Sequence, residues 1–347
     1  MLTDYKRNAT ITRARAIYGK RLSESDYREL SNKKSVSEAA EYLKKNTHYS
    51  SALSTINTAT IHRGHLESII RRYSFDRCIA LCDFQQLRKE RFYNYLIVLS
   101  EIREILSIIL HMNSKSYDDY ITSMPSYLLS KTSFDLMALA RSRNINELID
   151  KLEHTPYYSV LKGIQLDESG NAPYLECEIR LRTYYMKWLE DVVKKDFKGN
   201  TKNILLDQIN IQVDFINIIN AYRMKKFYGL SVSEIEKNSF PFYGKLSLKK
   251  QKELFGAETT DDFLNEFSKT FYGRKFKLDN DDYFELEVNR LRCQAARRSL
   301  MFSNHSAVSV YSLIYLLDIE VDNITTIIEG IRYGKTQNYI LNMIISI

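Results

Sequence analysis

An all-α fold of three related lobes is what this 347-residue sequence predicts, and three observations predict it. Eleven Gly and four Pro are too few for a chain built of many tight turns and short strands. Apolar residues recur at helical spacing, as at Leu96, Leu99, Leu106 and Ile109. A short phrase is also used three times, as NTHYSSAL, HTPYYSVL and KTFYGRKF. Each copy has a Thr, a Tyr two positions on and an apolar residue six positions after the Thr: Thr47, Tyr49 and Leu53; Thr155, Tyr157 and Leu161; Thr270, Tyr272 and Phe276.

The match continues on both sides of this corner. Upstream stand Leu43, Leu152 and Phe267, then the acids Glu38, Glu147 and Asp262, then Leu30, Leu139 and Leu254. Further back, Leu22–Ser23 and Leu246–Ser247 open the first and third copies, with Lys131–Thr132 expected in the second. Downstream an apolar–Glu pair recurs as Leu66–Glu67, Leu175–Glu176 and Phe284–Glu285, followed by Ile70, Ile179 and Val288. An acid three residues before an Asn appears twice, as Asp214/Asn217 and Glu320/Asn323, with no clear counterpart in the remaining copy. The unit is roughly 110 residues long, too long for a short solenoid repeat and enough for a small helical bundle. The expected division is 1–115, 116–228 and 229–347, three lobes around a pseudo-threefold axis forming a funnel or cup.

The elements of one unit follow in order. In LSESDYREL, Ser23 is an N-cap with Asp26 three residues on, and Tyr27 and Leu30 share the buried helix face. Ser35 or Ser37 caps the next helix, with Glu38 in the first turn where the helix dipole favours negative charge. That helix ends at Thr47, whose hydroxyl starts a turn that the Tyr49 ring packs across. Long amphipathic helices fill the rest, as in EIRLRTYYMKWLEDVV and NRLRCQAARRSLMF. INIQVDFINII alternates like a strand, but its continuation through Tyr222 to Lys226 and its Asp214/Asn217 pair favour helix.

Charge and chemistry narrow the functional classes. A net charge of +7 arises from 50 basic and 43 acidic residues that are interspersed, unlike the basic stripe of a dedicated nucleic-acid binder. The clusters RKER (88–91), KKQK (249–252) and RLR (180–182 and 290–292) read first as partners of neighbouring glutamates, Glu176, Glu178, Glu285 and Glu287. Cys78, Cys82, Cys177 and Cys293 form no CxxC pair and suit buried thiols in a reducing compartment. MLTDYKRNAT has no apolar core for a signal peptide, and no stretch reaches the roughly 18 apolar residues of a membrane span. There is no phosphate-loop or dinucleotide fingerprint, no HExxH and no G-x-S-x-G. His62, His65 and Glu67 have metal-like spacing but no evident further ligand, and His48, His111, His154 and His305 are scattered. The expectation is a protein without catalytic residues, metal or cofactor.

One family carries these features together. Arg13 and Arg15, Leu22–Ser23, Asp26–Tyr27, Thr47–Tyr49, HTPYY, Asp214, Asn217 and Arg223 within DFINIINAYRMKKFYGLS, and EVDNITTIIEG with Glu320 and Asn323 resemble the C-type subunit of archaeal and bacterial A/V-type rotary ATPases, the counterpart of the d-type subunit of vacuolar ATPases. The resemblance implies a non-catalytic rotor part at the inner face of the cell membrane. It would join central-stalk subunits of the D and F type to the cytoplasmic face of the membrane rotor ring. Torque would then couple proton or sodium transport to ATP synthesis or hydrolysis. Glu67, Arg71, Glu176, Arg180, Glu285 and Arg290 recur once per lobe and are the expected partner-binding charges. The alternative is a helical adaptor for RNA or signalling proteins.

Overall fold

A computed structural model describes residues 2–84, 87, 90–167, 170–240, 244–276 and 283–345. The described residues are helical and contain no strand. The chain divides into two compact units, one made of Met1–Lys89 with Leu278–Ile347, the other of Glu90–Lys277.

The first unit begins with α1 (Leu2–Gly19), α2 (Glu24–Ser31), α3 (Val36–Asn46), α4 (Ser50–Leu53) and α5 (Arg63–Asp83). Ser23 and Asp26 form a reciprocal capping box at α2, as their spacing predicts. Ser35, not Ser37, caps α3 by accepting the Glu38 N–H at 3.1 Å. Ser37 instead donates to the Ala59 carbonyl. The unit resumes, after the ten α-helices among the described residues of the other unit, with α16 (Phe284–Phe302), α17 (Ser306–Arg332) and α18 (Gln337–Asn342). α17 is its central pillar, apolar from Ala307 to Leu317 apart from serines and tyrosines and packed against α1, α5 and α16.

Leu30, Leu43, Leu53, Leu66 and Ile70 meet Ile324, Ile327 and Ile328 of α17 in one core. Each such side chain contributes about 1.5–3 kcal/mol by leaving water. Of the two arginines singled out in the opening segment, now α1, Arg15 has a structural task. Its guanidinium donates to the Leu300 and Ser303 carbonyls at 3.0 and 2.8 Å, satisfying the otherwise open C-terminus of α16.

The second unit contains α6 (Tyr95–Asn113), α7 (Tyr117–Ser123), α8 (Leu136–Ala140), α9 (Ile145–Lys151), α10 (Pro156–Leu161), α11 (Tyr174–Asp196), α12 (Gly199–Tyr228), α13 (Val232–Lys237), α14 (Leu248–Phe255) and α15 (Thr260–Ser268). The alternating segment INIQVDFINII lies inside α12, where Ile209, Val213 and Phe215 are buried. Two expected registers shift in the second copy. The short α8 is capped by Asp135 with Phe134 buried before it, so Phe134–Asp135, not Lys131–Thr132, matches Leu22–Ser23. In α11 the buried seam runs through Cys177 and Leu181, leaving Leu175 46% exposed, whereas Leu66 and Phe284 are fully buried.

The long helices α6, α12 and α17 stop in the same way. Each runs into a left-handed residue, Lys115, Gly229 or Gly334. A bond then reaches back across the last turn, from Ser116 N to His111 O, Leu230 N to Met224 O, and Lys335 N to Gly330 O.

Candidate functional site: three buried carboxylate corners

The repeated Thr closes a helix with its hydroxyl. Thr47, Thr155 and Thr270 donate to the carbonyls of Leu43, Leu152 and Phe267 at 2.7, 2.8 and 2.7 Å. The chain then turns, and Tyr49, Tyr157 and Tyr272 point inward with 1%, 2% and 5% of their surface exposed. Each phenol donates to a buried carboxylate on a long helix. Tyr49 reaches Glu320 of α17 at 3.0 Å, Tyr157 reaches Glu101 of α6 at 2.6 Å, and Tyr272 reaches Asp214 of α12 at 2.8 Å. The first corner is therefore completed by α17, 271 residues further along the chain.

The same carboxylates accept backbone N–H groups from the segment ahead of the matching short helix. Leu22 N–H reaches Glu320 at 2.8 Å, and Ser133 N–H reaches Glu101. Gly244, Lys245 and Leu246 N–H groups converge on Asp214 at 3.0, 2.7 and 3.1 Å. Each acid thus ties together a long helix, a corner and a cap, and an unpaired buried charge is avoided. Burial, followed by the nearby carboxylate, pushes all three tyrosine hydroxyls far above the ordinary phenol value, so they remain donors. Burial also raises the Asp214 carboxyl, against the pull of its four hydrogen bonds.

The partner Asn works one turn further on. Asn217 exchanges two hydrogen bonds with the Phe240 backbone, and Asn323 does the same with Ile345. The missing copy is Glu101/Glu104: an acid holds the Asn position, and Glu104 accepts the Tyr120 hydroxyl at 2.7 Å. Glu101, an acid within the otherwise apolar face of α6, is the residue that the acid–Asn spacing did not reveal.

The first corner has an addition. Arg77 Nη1 lies 3.0 Å from Nδ1 of His48, whose Nε2 lies 2.8 Å from Glu320. A guanidinium only donates, so Nδ1 accepts and the Nε2–H tautomer donates to the carboxylate. His48 thus has a place in the buried network.

The charged residues on the following helices sit in local pairs. Glu67 pairs with Arg63 at 2.6 Å, and Arg71 lies 3.7 Å from Asp322. Arg180 pairs with Glu176 at 2.5 Å, Arg182 with Glu178 at 2.7 Å, and Arg290 with Glu287. Glu285 is half-buried in the first turn of α16. By burial register, Glu178 and Arg182 match Glu67 and Arg71 more closely than Glu176 and Arg180 do. Lys250 of the KKQK cluster pairs with Glu253. Arg88 and Lys89 of RKER lie outside the described residues.

Other reactive groups have structural settings. His62 and His65 are exposed at the start of α5, and no group of three or more His, Cys, Asp or Glu among the described residues could hold a metal. All four cysteines are free and buried, and burial lifts the Cys177 and Cys293 thiols to about 11 and about 12. No helix of the described residues is long and apolar enough to cross a membrane.

An all-helical protein organised around a thrice-used tyrosine–carboxylate corner is the class that this geometry defines. The chain belongs to the ATP synthase (C/AC39) subunit family, whose model matches residues 10–343. The C-type subunit of the A-type ATP synthase of Methanosarcina mazei is 25% identical over 264 residues, 73% of this chain and 71% of that protein. Its namesake from Methanosarcina barkeri matches with the same identity and coverage. That from Desulfurococcus sp. (strain SY) is 24% identical over 263 residues, 76% of this chain and 68% of that protein.

Proposed function

We propose that the chain is a non-catalytic central-rotor subunit, joining stalk subunits of the D and F type to the cytoplasmic face of a membrane rotor ring. It works at the inner face of the cell membrane and passes torque, so that proton or sodium transport is coupled to ATP synthesis or hydrolysis. In this reading the lobes 1–115, 116–228 and 229–347 stand around a pseudo-threefold axis as a funnel, with α17 lent to the first corner. The observation that carries it is the threefold lock. A part that transmits torque must not deform, and each corner fixes a long helix through a buried acid with two or more donors.

Glu67, Arg71, Glu176, Arg180, Glu285 and Arg290 are the proposed register charges toward the stalk. Exposed pairs of this kind are worth only about 0.2–1 kcal/mol, so they can exchange partners on assembly. The reading as an adaptor for RNA is weaker because the RLR arginines alternate with glutamates and so present no basic stripe to phosphates: Arg180, Arg182 and Arg290 pair with glutamates, and Arg292 lies 4.0 Å over the Tyr315 ring.

The test is reconstitution of the rotary complex with and without this chain, and with a folded Glu67→Lys/Glu176→Lys/Glu285→Lys variant. Loss of ATP-driven ion transport without the chain, with hydrolysis by the head retained, is the expected result. Equal transport with and without it would remove the proposal. Unchanged stalk binding by the triple variant would remove only the charge assignment.

A further inference from the structure

We propose that the exposed face at the end of α17 and along α18 docks an acidic, apolar-edged segment of a protein partner. Tyr333, Tyr339 and Met343 are 64%, 46% and 43% exposed, while Ile340 and Ile344, on the other side of the same stretch, are sealed into the core. The segment is therefore amphipathic and fixed, with an outer face of two tyrosines and a methionine. Rigid tyrosines bring contact area at low entropic cost, which is why they mark interfaces.

Charge decides what kind of surface fits. No Asp or Glu occurs from Gly330 to Ile347. Nearby acids are already neutralised: Glu329 by Arg63, Glu24 by Arg28 and Glu29 by Lys33. Arg332 and Lys335 are exposed, with no acidic partner among the described residues. They lie over the Tyr333 and Tyr339 rings at 5.7 and 5.3 Å. The face thus presents two cations on aromatic platforms, complementary to carboxylates flanked by aliphatic groups.

The repeat supplies a second line of support. Tyr333 follows Glu320 by the same step that separates Phe227 from Asp214. Phe227 is also exposed, at 66%, with Lys226 placed 5.9 Å from its ring. A cation beside an exposed aromatic ring at one repeat position is thus used twice, where folding alone would favour burying the ring.

The choice of assay partners rests on the rotor reading above, so a second probe is independent of it. Full-length protein and its Arg332→Glu/Lys335→Glu and Tyr339→Ala/Met343→Ala variants are compared for binding to three targets. These are the purified stalk subcomplex, the detergent-solubilised rotor ring, and a synthetic peptide of alternating Glu and Leu. Circular dichroism and thermal midpoints confirm folding, and Arg332→Gln/Lys335→Gln replaces the charge reversal should that misfold. The expected result is tenfold or greater weakening by charge reversal, steeper at low salt, and smaller weakening by the apolar pair. Wild-type binding to a subcomplex that both variants leave unchanged would overturn the inference alone. Variant effects found only in a further comparison, against phosphatidylglycerol vesicles, would also overturn it, assigning the face to lipid. Wild-type protein that binds neither subcomplex would overturn the rotor reading, and the peptide then decides the inference: variant-sensitive binding supports it, and no binding ends it.

Discussion

The first and third corners solve one problem with different side chains. At the first, a glutamate reaches out from α17 to a tyrosine, a histidine and a single backbone N–H. At the third, the shorter Asp214 stays close to α12, and the chain must come to it, so three consecutive N–H groups wrap its oxygens. That approach explains Gly244. A Cβ there would lie 2.5 Å from Asp214 Oδ2 and 2.7 Å from the Asn210 carbonyl. A one-carbon difference in the acid is thus converted into a requirement on a residue thirty positions away. The lesson is that the repeat keeps one task, holding a buried charge, while the supporting chemistry varies around it.

The largest effect should come from emptying the third corner. Asp214→Ala leaves three N–H groups and the Tyr272 hydroxyl without their acceptor, and about 3–5 kcal/mol of stability should be lost in urea titrations. Glu320→Ala should cost less, because fewer donors are stranded. The acid's own titration adds a signed test. Burial raises Asp214 above its unfolded value of 3.8. Its protonation therefore contributes stability below pH about 3.8, and that contribution is lost as pH rises through the native value. Asp26 has the opposite sign: burial would raise it, but hydrogen bonds from Ser23 and Tyr42 prevail and lower it. Its contribution is present above its unfolded value and lost in acid. Stability–pH curves of Asp214→Asn and Asp26→Asn should therefore depart from wild type in opposite directions; departures of the same sign would contradict the assignment.

Next in size is the residue after the corner tyrosine, which is Ser50 in the first copy and Gly273 in the third. At Gly273 a Cβ would fall 1.9 Å from the Phe267 carbonyl oxygen, so no side chain fits without moving backbone. Gly273→Ala should cost about 3 kcal/mol, at the upper end for overpacking, whereas Ser50→Ala on the exposed side of α4 should stay within about 0.5 kcal/mol. Equal thermal midpoints for the two variants would show that the corners differ less than their geometry indicates.

Removing only the hydroxyl is milder. Tyr272→Phe and Tyr157→Phe should each cost about 1.5–3 kcal/mol, the range for a hydrogen bond to a charged acceptor. Tyr49→Phe should sit at the low end, since His48 continues to donate to the same Glu320 oxygen. A Tyr49→Phe cost above that of Tyr157→Phe would mean that the histidine does not share the load.

These differences also mark what the sequence could reveal. The corner was legible because Thr and Tyr act through local geometry, the hydroxyl closing its own helix and the ring filling the turn. The caps at Ser23 and Ser35 were legible for the same reason. The acids were half legible. Asp214 and Glu320 shared an Asn three residues on, but Glu101 has Glu104 there, and only the fold brings it to Tyr157. His48 could not be placed either, because its partners Arg77 and Glu320 come from other helices. The second copy misled most, since the short α8 and the shifted seam of α11 change spacing while preserving contacts. Burial, which sets which face of a helix matters, depends on neighbours that spacing alone does not name.

The smallest expected effect concerns the ends of the long helices and would correct a flaw in one copy. α12 and α17 end on Gly229 and Gly334, at φ of 60° and 61°, where glycine has no Cβ to clash. α6 reaches the same conformation with Lys115 at φ 55°, and backbone bonds close behind it as they do behind the glycines. A lysine in that region is strained by about 1 kcal/mol relative to glycine, although glycine gives back part of the gain through its freer unfolded chain. Lys115→Gly should therefore raise stability by about 0.5 kcal/mol, an unusual outcome for a glycine introduced into a helical protein. The reverse changes, Gly229→Lys and Gly334→Lys, should lower it by a similar amount. If Lys115→Gly destabilises, the side chain must be making a contact that outweighs the backbone strain, and the equivalence of the three helix ends would hold for their hydrogen bonds but not for their energetics.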